Sequence, residues 1–280
     1  MAIFPRILVM GATGRIGAVL RQFWSAGTVI WQSRTARPGY VQVDPLGEPD
    51  RLAQVAAGCD IILCLSGVVN ARSGGDMQDN IRLALAAVQA AQPGGTRVLL
   101  ASSAAVYGAQ PGTLAEEDPL RPMSAYGRAK VDMEHQALEA GAHRGVPVTA
   151  LRIGNIAGLD AILGGWRPGF ALDCFENGQT PMRSYIGVQS LARILADLTE
   201  VRNLPEVLNI AQPGPIAMGA LLDAAGHAWT RRPAPPEAIP SVALDVHRLL
   251  TLSDAAHVSA DPVQMVAEWR AFQAAQEVPA

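Results

Sequence analysis

Tyr126 and Lys130 stand four residues apart in "SAYGRAK" (124–130), within a stretch rich in helix formers. At that spacing two side chains share one helix face. A free phenol titrates at about 10 and is a poor base near neutrality. A neighbouring ammonium favours the phenolate and brings it into a working range. Such a phenol takes a proton from a hydroxyl in one direction and returns it in the other. Upstream, "LLASSAAVYG" (99–108) ends an apolar run in two serines, and Ser103 there could hold the reacting oxygen. Each piece has a plainer alternative. Tyr-x-x-x-Lys pairs recur on many helices as structure, and a serine pair after a strand is ordinary turn chemistry. Order and spacing together are what make the combination specific. Tyr107 is not the candidate phenol, because Pro111 occupies the position four residues on; it is expected to pack.

The second signal opens the chain. In "ILVMGATGRIGAVL" (7–20), Gly11, Gly14 and Gly17 follow directly on a hydrophobic run. Glycine there is costly unless something must approach the backbone closely. Between a strand and a helix, such a turn lets backbone N–H groups and a helix N-terminus meet a pyrophosphate. Gly11 makes the turn, Gly14 admits phosphates and Gly17 lets the helix lie close to the sheet. The expected cradle is Gly11, Thr13, Gly14, Arg15 and Ile16. A tight turn with no ligand is the alternative, and a glycine triplet alone does not choose between them. The next strand ends "WQSRTAR" (31–37), where an acid usually reads an unphosphorylated ribose. Ser33 and Arg34 stand there instead, with Arg37 nearby. A hydroxyl and a cation suit a 2′-phosphate, so NADP is the expected cofactor. NAD is the alternative if the arginines are only solvated.

These residues need a scaffold. "RILVM" (6–10), "TVIWQ" (28–32), "VQV" (41–43), "DIILCL" (60–65), "RVLLAS" (97–102) and "VTALRI" (148–153) read as strands. They are nearly all apolar, as strands covered on both faces must be. Helical segments such as 79–91 and 125–142 lie between them. The pattern implies an α/β fold, a Rossmann-type doubly wound parallel sheet with a small C-terminal substrate cap. Residues 1–150 are assigned to the dinucleotide-binding domain. Residues 151–280 are mostly cap, with some segments returning to the sheet. In that second part, 164–170 and 177–181 carry loop chemistry. Residues 188–200 and 261–273 are helical, 207–210 is a strand, and the proline-rich 231–240 is an extended connection.

With 280 residues, 17% charged, and a net charge of −3, the chain is globular and gives no electrostatic reason to expect nucleic acid. Its three cysteines, Cys59, Cys64 and Cys174, make no disulfide framework; Cys59 and Cys64 are expected in the core. No charged leader and no apolar run near the ~18 residues of a membrane helix is seen, so a soluble cytoplasmic protein is expected. The histidines show no metal-ligand spacing, and no metal is expected. Glu116, Glu117 and Asp118 form a cluster expected to be solvated. Arg167 and Arg183, in the cap, are candidates for an anionic substrate group.

The Gly-x-x-Gly-x-x-Gly turn, "SSAAVYG" and "AYGRAK" together resemble the extended short-chain dehydrogenase/reductase family, often labelled NAD-dependent epimerase/dehydratase. The resemblance covers most of the chain and implies further roles. Asn80, opening "DNIRLALAAVQAA", would be a fourth catalytic member, holding a water that relays protons to the lysine. Leu65, Ser66 and Gly67 would form the loop at the nicotinamide side. Asp44 would meet the adenine amino group. In "ALRIGNIAG" (150–158), Ile153 would border the nicotinamide and Asn155 would face substrate. "MRSYIGVQSLARIL" (182–195) departs from the family pattern, with Ser184, Gly187, Gln189 and Ser190 where acids and a histidine are usual. Sugar-nucleotide 4,6-dehydratases carry an Asp-Glu pair where this chain has Ala104 and Ala105. Methyl groups move no protons, so dehydration is discounted.

The expected function is reversible hydride transfer at a secondary alcohol or ketone. The expected substrate is a small carbohydrate-like molecule: a sugar, sugar acid or nucleotide sugar. Epimerisation is the alternative among enzymes. A non-catalytic dinucleotide-binding regulator is the alternative outside them, though such members typically lack the tyrosine and lysine. The oligomeric state is left open; the resemblance offers a homodimer packed through two helices of each subunit, with the Tyr126 helix as a candidate.

Overall fold

Four consecutive buried apolar residues, Ile7–Met10, form the first strand, β1, and the chain turns at once into helix α1 (Arg15–Phe23). The computed structural model describes residues 5–24, 27–69 and 76–277. The elements continue with β2 (Val29–Ser33), β3 (Val41–Gln42), α2 (Pro49–Ala56), β4 (Ile61–Cys64), α3 (Asp79–Ala90), β5 (Arg97–Ser103), β6 (Thr113–Leu114) and α4 (Ala125–Arg144). Next come β7 (Val148–Ile153), β8 (Asn155–Ile156), β9 (Ala171–Cys174), β10 (Met182–Ile186), α5 (Val188–Glu200) and β11 (Val207–Ile210). The chain ends through β12 (Pro215–Ala217), α6 (Met218–Ala224), β13 (Thr230–Pro233), β14 (Ser241–Leu244), α7 (His247–Leu250) and α8 (Pro262–Glu277).

The chain divides into two compact units. The first holds residues up to 106, 122–152 and 198–208; the second holds 107–121, 153–197 and those from 209 on. The seven-stranded sheet runs β11-β7-β5-β4-β1-β2-β3. Pairings from β3 across β2, β1 and β4 to β5 are parallel. This is the doubly wound Rossmann order, with the chain reversing direction across the sheet at β1 and β4. Ligands in such sheets bind beyond the carboxyl ends of the strands at that point. One core cluster joins Leu8, Met10, Ile62, Cys64, Val98 and Leu100 of the sheet to Ala84, Ala87 and Val88 of α3 and Met133 and Ala137 of α4. Alanines on α3 let α4 lie close, which sets where α4 carries its side chains.

In the second unit, β10 pairs with β8, β12 and β14, and β14 pairs with β6. Residues 231–240, expected as a plain connection, begin inside a strand: β13 runs parallel to β9, with Thr230 opposite Ala171. Prolines suit this place because a two-stranded edge tolerates a missing donor. Tyr107 is fully buried and donates to Asn209 Oδ1 at 2.8 Å, so it packs as expected. The divergent 182–195 segment has its own logic. Glu268 of α8 accepts the amides of Gln189 (2.9 Å) and Ser190 (3.1 Å) and the Ser190 hydroxyl (2.7 Å) at the start of α5. A Cβ on Gly187 would lie 2.1 Å from that carboxylate. A remote carboxylate thus satisfies the helix N-terminus, and glycine makes the room for it. No helix among the described residues is long and apolar enough to cross a membrane. Among them no group of three or more His, Cys, Asp or Glu is placed to hold a metal ion.

Candidate active site

Helix α4 starts where the sequence caps it. Ser124 Oγ accepts the Gly127 amide at 3.0 Å, and Gly145 ends the helix in the left-handed conformation. Tyr126 therefore lies in the first turn, Lys130 one turn on and Glu134 one turn further, all on one face. Gly127 brings this helix start against the turn that follows β5: a Cβ there would lie 2.6 Å from the Ala105 carbonyl oxygen. That close approach joins Tyr126 to Ser103 by a hydrogen bond between their side chains. Ser103 Oγ also accepts the Ala105 amide at 3.2 Å, which fixes its rotamer.

Lys130 is almost wholly buried, 4% exposed. Its Nζ donates to the Ala101 carbonyl at 2.8 Å and lies 5.8 Å from the centroid of the Tyr126 ring. Burial pulls Lys130 down to about 8, only partly offset by the nearby Cys64 thiol and Glu134 carboxylate. Tyr126 moves the other way. Burial pushes its hydroxyl up, against the Ser103 hydrogen bond and the Arg15 charge, which pull it down. Among the protein's own groups, Ser103 and Arg15 are the ones that pull the phenol down; the expected lowering joins Lys130 to the positive ring of an oxidised nicotinamide. The ammonium lies beneath the ring, and desolvation of the phenolate dominates. Tyr126 rests as a protonated acid.

Below about pH 8 the charged Lys130 is carried in both folded and unfolded chains, and its burial opposes folding. Between about 8 and 10.5 the folded chain has released the proton and the unfolded chain has not, so stability rises with pH. Lys130→Met is expected to raise stability at pH 7 by ~1–3 kcal/mol, the size of the shift discounted for the lost Ala101 bond. It should also abolish the rise in stability between pH 8 and 10. Urea denaturation at the two pH values checks both.

Asn80 is fully buried, and its amide is closed on the loop after β4: Oδ1 accepts the Val68 amide at 3.2 Å, and Nδ2 donates to the carbonyls of Val68 (3.0 Å) and Met77 (3.1 Å). Its side-chain amide therefore braces the loop beside Lys130. Gly67 in that loop has no room for a side chain, since a Cβ would lie 2.6 Å from Asn80 Oδ1 and 3.3 Å from Lys130 Nζ. Leu65 begins the loop by donating to the Met10 carbonyl at 3.0 Å. Ser66 lies where a Cβ on Gly11 would come within 2.7 Å of its amide and hydroxyl.

The glycine turn fits a dinucleotide. Gly11 has φ of +73°, and a Cβ on Gly17 would lie 2.3 Å from the Ala12 carbonyl, so both require glycine. Gly14 caps α1 with no side-chain hydrogen bond, and the first turn carries no acid. The turn's exposed edge, Thr13 to Arg15, with half-buried Ile16 behind it, presents helix amides of the kind phosphates take. Gln32 braces the turn from beneath, accepting the Gly11 amide at 2.9 Å and donating to the Val43 carbonyl at 2.7 Å. Ser33 is buried and its Oγ accepts the Thr35 amide at 3.2 Å, so its hydroxyl is engaged locally. Arg34 and Arg37 are exposed. Asp44 accepts the Leu46 amide at 3.2 Å, an Asx turn ahead of α2.

The remaining candidates belong to the second unit. Ile153 is the buried end of β7. Asn155, on β8, is hydrogen-bonded to the Tyr185 hydroxyl. Arg183 donates to the carbonyls of Met182 (2.7 Å) and Ile239 (3.0 Å).

Four features escaped the sequence. Gly127 and Gln32 are two of them. The others are Glu134 and Arg152, a buried ion pair with Nη2 to Oε2 at 2.8 Å and Nε to Oε2 at 3.1 Å, to which Ser102 adds a hydroxyl. Signals existed: Glu134 extends the Tyr126–Lys130 spacing, and Arg152 interrupts the otherwise apolar "VTALRI".

No curated protein matches the chain in sequence. Solved structures share the fold. A UDP-glucose-4-epimerase from Stenotrophomonas maltophila, with bound NAD and formylated UDP-arabinopyranose, aligns at TM-score 0.78 and 20% identity, over 97% of this chain and 99% of its own. A UDP-glucuronic acid 4-epimerase from Bacillus cereus, in complex with UDP-glucuronic acid and NAD, aligns at 0.75 and 18%, over 96% and 99%. A dTDP-glucose 4,6-dehydratase from Streptomyces venezuelae, with NAD bound, aligns at 0.73 and 20%, over 97% and 99%. The model of one family spans the glycine turn, the Asn80 helix, Ser103, Tyr126 and Lys130, matching residues 7–164. With more than half its length so matched, the chain belongs to the NAD dependent epimerase/dehydratase family.

Proposed function

We propose that the protein is an NAD(P)-dependent oxidoreductase that moves hydride at a secondary alcohol or ketone of a carbohydrate-like substrate. The observation that carries this is the hydrogen bond between Ser103 and Tyr126, with the Lys130 ammonium under the same ring. The dinucleotide would be held by the glycine turn and the α1 amides at one end and by the 65–67 loop at the other. When bound, its nicotinamide supplies the hydride acceptor or donor. Ser103 positions the substrate oxygen, Tyr126 Oη exchanges a proton with it, and the buried Lys130 orients the phenol and is poised, at about 8, to share that proton. Asn155 and Arg183 are assigned to substrate. Epimerisation is the second reading, favoured by the activities named for the neighbours from Stenotrophomonas maltophila and Bacillus cereus. Screening aldoses, uronic acids and UDP- or dTDP-sugars while following reduced-nicotinamide absorbance tests both. Net oxidation or reduction supports the first. Isomerised product with no net change supports the second. No turnover with any of them sinks the substrate class.

NADP is the proposed partner because the Arg34 side chain makes no hydrogen bond or ion pair among the described residues and stands where a 2′-phosphate would be read. Arg34→Ala is expected to weaken NADPH binding by about ten- to a hundredfold, the worth of a charge-assisted hydrogen bond, and to leave NADH binding unchanged. Fluorescence titration with each nucleotide checks it; equal effects on both remove the NADP preference.

A further inference from the structure

Asn155 sits opposite Tyr185 in the parallel β8–β10 pairing, so the two side chains emerge on one face. Tyr185 is fully buried. Its hydroxyl donates to Asp160 Oδ2 at 2.8 Å. Asp160 Oδ1 is held by the amides of Leu163 (3.0 Å) and Gly164 (3.4 Å). A phenol has one proton to give. With that proton on Asp160, a carboxylate that only accepts, the Tyr185 oxygen can only accept from Asn155. The donor must then be Asn155 Nδ2. Burial pushes both Asp160 and Tyr185 up, while the Tyr185 hydroxyl and the backbone amides pull Asp160 down.

We propose that Tyr185 and Asp160 lock the Asn155 amide with Nδ2 inward and Oδ1 on the outer branch, so that Asn155 selects a hydroxyl donor on the ligand it meets. This rests on the assignment of Asn155 to the substrate site. Within that assignment, it makes Tyr185 and Asp160 positioning residues for substrate selection. A hydroxyl donates to Oδ1; a fluorine or an ether at the same position does not. Asp160→Asn reverses the chain of donors. The amides of Leu163 and Gly164 retain the oxygen of the substituted side chain, its new amide nitrogen donates to Tyr185, and Tyr185 then donates to Asn155 Oδ1, turning Nδ2 outward.

The test reads orientation and selectivity separately, in the full chain loaded with NADP. In protein labelled with ¹⁵N at asparagine, the Asn155 Hδ2 protons should show a nuclear Overhauser effect to the Tyr185 ring. It should fade in Asp160→Asn. In Tyr185→Phe, the second variant, two side-chain signals in exchange should replace one. An absent effect in the wild type overturns the lock, whatever binds. UDP-glucose and UDP-glucuronic acid are then titrated. Failure of both to bind, or binding without movement of the Asn155 side-chain signal, overturns the substrate assignment and the selectivity with it. Where a probe moves that signal, one of its deoxyfluoro forms should bind the wild type at least tenfold more weakly, and Asp160→Asn should narrow that gap to under threefold. An unchanged gap overturns the selectivity while leaving Asn155 in the site.

Discussion

Tyr126→Phe is expected to lower turnover by about 10²- to 10⁴-fold while cofactor affinity holds. The phenol oxygen is hydrogen-bonded to Ser103, and on the proposed function it is the acid that this pairing would offer a reacting oxygen. Removing it leaves the ring in place over Lys130 and the glycine turn intact. Binding of the reduced nucleotide should therefore change little. Turnover should collapse on whichever substrate the screen finds, because proton transfer then falls to water. Steady-state kinetics beside a fluorescence titration separate the two effects. A variant that turns over at the wild-type rate places the chemistry elsewhere. A variant that loses cofactor binding in equal measure makes Tyr126 a binding group. A protein whose cellular role survives the change intact is a dinucleotide-binding regulator and not a catalyst.

Arg152→Met is expected to destabilise the fold by about 3–5 kcal/mol, because it strands the Glu134 carboxylate in the interior. Both side chains of the pair are buried, at 5% and 1% exposure, so water cannot replace the lost guanidinium. Of the hydrogen bonds to Glu134 among the described residues, the one from Ser102 remains, with the Lys130 ammonium nearby. The pair ties α4 to β7 one turn below Lys130, so the loss should be felt where the catalytic side chains are held. Replacing both partners, Glu134→Met with Arg152→Met, should recover most of the stability, since buried ion pairs exchanged whole for apolar residues are often near neutral. Chemical denaturation of the singles and the double measures the coupling. A single-variant loss under about 1 kcal/mol would mean the carboxylate finds another partner or neutralises without penalty.

The two units show different degrees of legibility. β1 and β4 are runs of buried apolar residues, β5 and β7 carry buried aliphatic residues at most of their positions, and such runs have few alternatives to a central parallel strand. Helices α3 and α4 declare themselves by composition, and Ser124 and Gly145 mark the ends of α4. In the second unit the strands are short, with β8 and β6 only two residues long, and their pairing is between distant segments. Nothing local sets such pairings, so β13 was hidden inside a proline-rich stretch.

The amino-acid sequence by itself determined the Rossmann order of elements, the glycine turn, and the serine, tyrosine and lysine on neighbouring elements. These follow from spacing along one strand end or one helix face, which backbone geometry alone sets. Tertiary structure decided the rest. It placed Asn80 on the Val68 backbone, engaged the Ser33 hydroxyl locally, paired Glu134 with Arg152, and capped α5 from Glu268. It also set the directions in which Tyr126 and Lys130 titrate. Partner choice and desolvation depend on atoms brought together from far apart in the chain, and a linear pattern of residue types holds no record of those distances.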